Sequence, residues 1–294
     1  MGLLGETKPV KKPTLGVSLY PEQESMEEIE NYLTMASRYG FTKIFTSMFS
    51  VPGTKEEVFD YFKNFCDLAH KHGMKVSGDC NTAFFKKMGA SESDISIFKE
   101  MGIDIIRMDL PYFDQRDVTL INNPYNITIE LSSCMIQAVR MALENGANPK
   151  NFSTCHNFYP ERYTASDLES IRSVNKELAT LGIPSAVFIS SNEDNTHGPW
   201  PVHDGLPTVE DHRWIPAELQ VRHWIAVGDV DEIIFGNAFA SEEEFKAIDQ
   251  VMNQAYVNIP KLVGQDYLAE LLPHGDVERV PFKVVLDDGV TDLE

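Results

Sequence analysis

The sequence is poor in cysteine, in basic residues and in long apolar runs, and each shortage removes a class of protein. Its four cysteines, Cys66, Cys80, Cys134 and Cys155, lie far apart with no C-x-x-C pair. Neither a zinc knuckle nor a disulfide framework is indicated, and reduced thiols in or near a core are expected. Lysine and arginine number 25 against 45 aspartates and glutamates, a formal charge of −20. That balance argues against unaided binding to nucleic acid or to an anionic membrane, both of which need a basic face. A small anionic ligand stays open, because one arginine in a pocket overrides net charge locally. No apolar run approaches the ~18 residues of a membrane span. Residues 1–16 carry Lys8, Lys11 and Lys12 but no apolar signal core, and Glu6 stands where a myristoylation motif at Gly2 needs Ser or Thr. The sequons at Asn126 and Asn151 mean nothing without secretion, and a soluble cytoplasmic protein is expected.

What is present is a repeat. A helix-start box, [ST]-x-x-[DE], follows a β-rich run at Ser25/Glu28, Thr54/Glu57, Ser91/Asp94, Thr164/Asp167 and Ser241/Glu244. In such a box the hydroxyl caps a free N–H of the first turn and the acid bonds back. Helical apolar stripes follow: Ile29, Tyr32, Leu33, Ala36; Val58, Tyr61, Phe62, Phe65; Leu168, Ile171, Val174, Leu178; and Phe245, Ile248, Met252. Gly40, Gly73, Gly102, Gly146 and Gly182 stand where a left-handed residue ends a helix. Strands are predicted over 14–20, 42–49, 74–80, 103–109, 126–131, 152–158, 184–190 and 230–236. Each except the fourth is followed by a clear helical segment; residues 113–124 supply only a short one.

Length alone, at about 150 residues per domain, suggests two domains. Eight strand–helix units instead predict an α/β fold of the TIM-type (β/α)₈ class over residues 1–256. A doubly wound sheet would want a Gly-rich phosphate turn after a strand, and none is present. Residues 257–294 break the repeat; they contain a strand-like run at 280–286 and form either a short C-terminal extension or the start of a β-rich second domain.

Barrel chemistry sits at the C-terminal strand ends, which reduces the acids to a few candidates. Strand 1 ends Tyr20-Pro21-Glu22, strand 3 Asp79-Cys80-Asn81 and strand 4 Arg107-Met108-Asp109. Strand 5 carries Glu130, and strand 6 runs into His156-Asn157-Phe158-Tyr159-Pro160-Glu161-Arg162. The loop after strand 7 holds Asn192, Glu193, Asp194, His197, His203, Glu210, His212 and Arg213. Period-two alternation puts Arg107 and Asp109 on one face, where they are either functional or a structural ion pair. Converging carboxylates suit glycoside hydrolysis, one protonated and one ionised. The same residues with His156 or His203 could hold a divalent metal for a sugar isomerase, epimerase or aldolase. That ranks lower, because no H-x-H or H-E-x-x-H stands at a strand end. A nucleophilic serine lacks its G-x-S-x-G turn. A Schiff-base lysine is disfavoured because Lys43 and Lys75 sit at strand starts.

At these strand ends the chain resembles a bacterial family of 6-phospho-N-acetylmuramidases, formerly labelled outer surface proteins. The matching stretches are Gly16 to Glu22, Gly40 to Ser47, Gly73 to Val76 with Asp79, Met101 to Ile103 leading to Arg107-Met108-Asp109, His156 to Pro160 and Gly205 to Arg213. They cover roughly residues 13–256 in order. The resemblance implies a TIM-type barrel with a smaller cyclophilin-like domain after it. It also implies cytoplasmic cleavage of a 6-phosphorylated N-acetylmuramyl–N-acetylglucosamine disaccharide in cell-wall recycling, with no metal and no cofactor. Asp109 and Asp79, with Glu22 next, fall on the acidic positions. Tyr20, Arg107, Glu130, His156, Asn157, Tyr159, Arg162, Glu210 and Arg213 are the expected substrate-binding residues. The chain departs from the family pattern at Ser132-Ser133-Cys134, at Glu161 and at Asn237, so a non-catalytic carbohydrate-binding paralogue is a further alternative.

Overall fold

The computed structural model describes residues 11–20, 23–48, 51–199, 204–258, 283–287 and 290–292. Eight parallel strands close into a barrel in sequence order. They are β1 (Thr14–Leu19), β2 (Phe41–Ser47), β3 (Lys75–Cys80), β4 (Ile105–Met108), β5 (Thr128–Ser132), β6 (Phe152–Cys155), β7 (Ser185–Ile189) and β8 (Glu232–Phe235). Closure is made by β8 against β1, with Leu15 opposite Ile233 and Gly16 opposite Ile234.

The outer helices are α1 (Met26–Arg38), α2 (Lys55–Lys71), α3 (Thr82–Met88), α4 (Ser96–Met101), α5 (Gln115–Ile121), α6 (Ile136–Glu144), α7 (Leu168–Leu181), α8 (Ala217–Val227) and α9 (Glu242–Asn253). The predicted stripes face the barrel: Ile29, Leu33, Phe62, Phe65, Leu178, Phe245 and Ile248 are fully enclosed. Each such side chain contributes roughly 1.5–3 kcal/mol of apolar burial. Three of the five boxes form as predicted, at Ser25, Thr54 and Ser241. Ser91 and Asp94 instead bond to each other's backbone in a tight turn, and α4 starts later, at Ser96. α7 is capped by Asp167 rather than Thr164, the carboxylate accepting the amide of Ser170 at 2.8 Å. The fourth unit does have its helix, α5, capped by Asp114.

The barrel interior is layered. Low in it, Lys43 of β2 reaches Glu130 of β5 at 3.0 Å and Glu232 of β8. Above lie Phe45 and Phe188, 5.2 Å between ring centroids, with Phe158 packed edge-on to Phe188 at 4.9 Å. The upper rim is polar. After α9 the chain enters β9 (Ala255–Asn258), which pairs antiparallel with β10 (Lys283–Asp287), itself paired with β11 (Val290–Asp292). The strand expected over 280–286 thus appears as β10. No helix among the described residues is long and apolar enough to cross a membrane.

Candidate active site

The β-pleat turns Ser77 and Asp79 inward on β3 and Ile105 and Arg107 inward on β4, and the register sets Asp79 directly beside Arg107. A guanidinium brought into an apolar barrel must find a partner, and Arg107 Nη1 donates to Asp79 Oδ1 at 2.8 Å. The expected alternative, an Arg107–Asp109 ion pair, does not form: alternation shows which face a residue takes, and the neighbouring strand supplied a nearer carboxylate. Arg107 Nη2 donates to Asn157 Oδ1, just past β6, and that oxygen also accepts the Ser132 hydroxyl at 3.2 Å. Arg107 Nε is buried without a partner.

Asp109 lies one residue beyond β4, its amide held by the Cys80 carbonyl at 2.9 Å. Its side chain is solvent-exposed. The two aspartates therefore share a pocket but not an environment. Asp79 is only 8% exposed, and burial raises its proton affinity against the pull of Arg107. The negative charges of Asp109 and Glu130 add to that rise.

Around this pair opens a cavity of about 230 Å³, lined by Tyr20, Phe45, Ser47, Asp79, Arg107, Asp109, Asn157, Phe158, Tyr159, Phe188 and Pro199. Tyr20 is fixed by its hydroxyl, which donates to the Gly236 carbonyl at 2.6 Å. Burial lifts its phenol above the ordinary range, so it stays neutral. Six expected residues meet here: Tyr20, Asp79, Arg107, Asp109, Asn157 and Tyr159.

The others are placed elsewhere. Glu130 points inward but too low, its carboxylate taken by Lys43 and approached by the Ser77 and Ser153 hydroxyls. Lys43, expected at a strand start, is the third residue of β2 and lies in the interior. Burial would lower its proton affinity, but the two carboxylates overcome that and raise it, the opposite of what a Schiff-base lysine needs. His156 is buried, with Nε2 2.8 Å from Asn175 Oδ1, and burial lowers its pKa to about 4. It borders a smaller side cavity of about 120 Å³ that shares Asn157 and Tyr159 with the main one. Glu210 and Arg213 pair with each other at 2.8 and 2.9 Å. Arg213 is also spent on the carbonyls of Tyr159 and Asp204 and is only 4% exposed, so it has no face left for a ligand. Arg162 is exposed and paired with Asp204. Glu22 and His203 lie outside the described residues.

Sequence reasoning missed the pocket's Phe45, Ser47, Phe158, Phe188 and Pro199. Aromatic residues in strands read as core, but the alternation Lys43, Phe45, Ser47 puts a mixed polar and aromatic face inward, a signal of a barrel interior. Of the departures from the family pattern, Glu161 is exposed and outside the pocket. Asn237 is buried and bonds both the amide and the carbonyl of Ser191. Neither change removes a pocket carboxylate. Among the described residues no cluster of three or more His, Cys, Asp or Glu side chains is placed to hold a metal ion.

Residues 15–250 match the family model described as 6-phospho-N-acetylmuramidase, N-terminal. No curated protein matches the chain. A crystal structure of an uncharacterized B. cereus protein is 36% identical with a TM-score of 0.72, the match covering 81% of this chain and 65% of that one. A conserved protein of unknown function from Enterococcus faecalis is 22% identical, with a TM-score of 0.70, over 82% of this chain and 66% of that one. The chain thus spans just under two thirds of the length of these two relatives. Phospho-2-dehydro-3-deoxyheptonate aldolase from Thermotoga maritima, 16% identical over 88% of this chain and 70% of its own, with a TM-score of 0.51, shares the barrel fold alone.

Proposed function

Because the chain belongs, over residues 15–250, to the 6-phospho-N-acetylmuramidase N-terminal family, we propose that its pocket hydrolyses a 6-phosphorylated N-acetylmuramyl–N-acetylglucosamine disaccharide in cytoplasmic cell-wall recycling. The observation that carries this reading is the pair Asp79 and Asp109, two carboxylates in one pocket, one buried with raised proton affinity and one open to water. Divergent environments of this kind let one acid keep its proton while its partner ionises.

Asp79 gives its proton to the glycosidic oxygen as the bond to the anomeric carbon breaks, and N-acetylglucosamine leaves as a neutral alcohol. Asp109, ionised, stabilises the cationic sugar and takes the proton of the water whose hydroxyl completes the anomeric carbon. Charge balance supports the assignment. Among the described lining residues, Arg107 is the one cationic side chain. With both aspartates ionised, the lining would carry a net negative charge against an anionic phosphosugar; with Asp79 protonated it is neutral. The reaction needs neither metal nor cofactor.

Asp79→Asn and Asp109→Asn should each lower kcat on the phosphorylated disaccharide by about 10²–10⁴-fold, and Asp109→Asn, at an exposed position, should keep a thermal midpoint close to wild type. N-acetylglucosamine release, followed by chromatography, is the measurement. A folded wild-type chain that releases none would overturn the reading.

A further inference from the structure

Two exposed aromatic residues, in the loops after β6 and β7, have backbones in the left-handed region. Tyr163, in the β6–α7 loop, has φ 62° and is 89% exposed; Trp214, in the β7–α8 loop, has φ 73° and is 55% exposed. That conformation is strained for a bulky residue, and such strain persists only where the surroundings enforce it. Here they do. Glu210 accepts the amides of Tyr163 and Ala165 at 2.9 and 3.1 Å and holds Arg213 through both oxygens. Arg213 precedes Trp214 and donates to the carbonyl of Tyr159, a wall of the pocket, at 3.0 Å. Hydrogen bonding to Arg213 lowers the Glu210 pKa to about 2, so the tie is ionic at every working pH. The Arg162 guanidinium, 5.4 Å from the indole centroid, steadies the Trp214 ring. One ion pair therefore holds two strained loops and the pocket wall as a unit, and the rings it presents are not buried in any core.

We infer that Tyr163 and Trp214 form a stacking platform for the leaving-group sugar of the substrate. This rests on the disaccharide reading above. A cavity of about 230 Å³ falls below the roughly 300–1,000 Å³ usual for drug-sized ligands, so it encloses one ring and the second must lie on the rim. Tyr159, which lines the pocket, is tied through Arg213 and Glu210 to the loops that carry Trp214 and Tyr163. The electron-rich surfaces of these two rings suit the polarised C–H face of a pyranose, and the uncharged N-acetylglucosamine ring needs no cation there.

The test uses Tyr163→Gly and Trp214→Gly in the full chain, because glycine removes the ring and relaxes the backbone together. Each variant should lose about three- to tenfold in kcat/KM on the phosphorylated disaccharide, the scale of one aromatic contact. Inhibition by 6-phospho-N-acetylmuramic acid, which fills the enclosed pocket alone, should change less than about twofold. The thermal midpoint should hold or rise. Wild-type kinetics in both variants would overturn the platform alone. A fall in midpoint with equal weakening of disaccharide and monosaccharide would also overturn it, showing a structural role. A wild-type chain inert toward the disaccharide removes the underlying reading, and the platform with it.

Discussion

Arg107 sets the electrostatics of the pocket. It bonds Asp79 at 2.8 Å and opposes the burial that raises that residue's proton affinity. In Arg107→Gln the opposition is gone, so Asp79 should hold its proton to higher pH. The alkaline limb of kcat/KM, which tracks loss of the acid's proton in the free enzyme, should move upward, while kcat/KM falls about tenfold or more for want of a charged contact to the substrate. A pH–rate profile whose limb stays put or moves down would remove Asp79 as the donor. At this scale the strand-end rule picked out both aspartates, Arg107 and Asn157, which the structure brings into one pocket, because their polarity stands out in apolar strands. It misjudged Glu130 for a physical reason: alternation gives the face of a strand, whereas height in a barrel depends on the stagger between strands. Glu130 and Arg107 are register neighbours, yet one carboxylate meets Lys43 below and the guanidinium meets Asp79 at the rim.

The same limit applies to the helix boxes. Ser25, Thr54 and Ser241 cap their helices, and their own amides donate in return to the carboxylates of Glu28, Glu57 and Glu244. Ser91 carries the same pattern without a helix to cap, because its backbone and that of Asp94 are already satisfied by each other. Asn81, which follows Asp79 and Cys80 at the end of strand 3, caps α3 by accepting the amide of Phe84 at 2.9 Å. A four-residue pattern states which bonds are available; the residues that follow decide whether a helix takes them. Ser25→Ala, Thr54→Ala, Ser241→Ala and Asp167→Ala should each cost about 1 kcal/mol. Ser91→Ala and Thr164→Ala should cost under about 0.5 kcal/mol, as surface changes do. Urea unfolding of the six variants checks this, and equal losses at Ser91 and Ser25 would mean the boxes are not what distinguishes them.

For the molecule as a whole, eightfold repetition made the barrel legible from the sequence, since eight strand–helix units in order are what a closed parallel barrel requires, and the strands do close in that order. What repetition does not reveal is what fills the barrel. Three charged side chains from β2, β5 and β8 meet across the interior: Lys43 and Glu130 are almost wholly enclosed and Glu232 is about four-fifths enclosed. Burial raises the proton affinity of Glu232, with Lys43 opposing. The three strands they join are far apart in sequence, so no local pattern couples them. Removing Lys43 alone leaves the Glu130 carboxylate in a dry interior, and breaking a buried pair from one side costs about 3–5 kcal/mol. Lys43→Met should therefore lose stability on that scale. Lys43→Met with Glu130→Leu should recover most of it, because replacing a buried pair by apolar groups is often neutral; Glu232, nearer the barrel's end, keeps access to water. Chemical unfolding of wild type, single and double variants gives the comparison. If the double variant is as unstable as the single one, the interior charges do more than satisfy each other, and the barrel depends on them to align its strands.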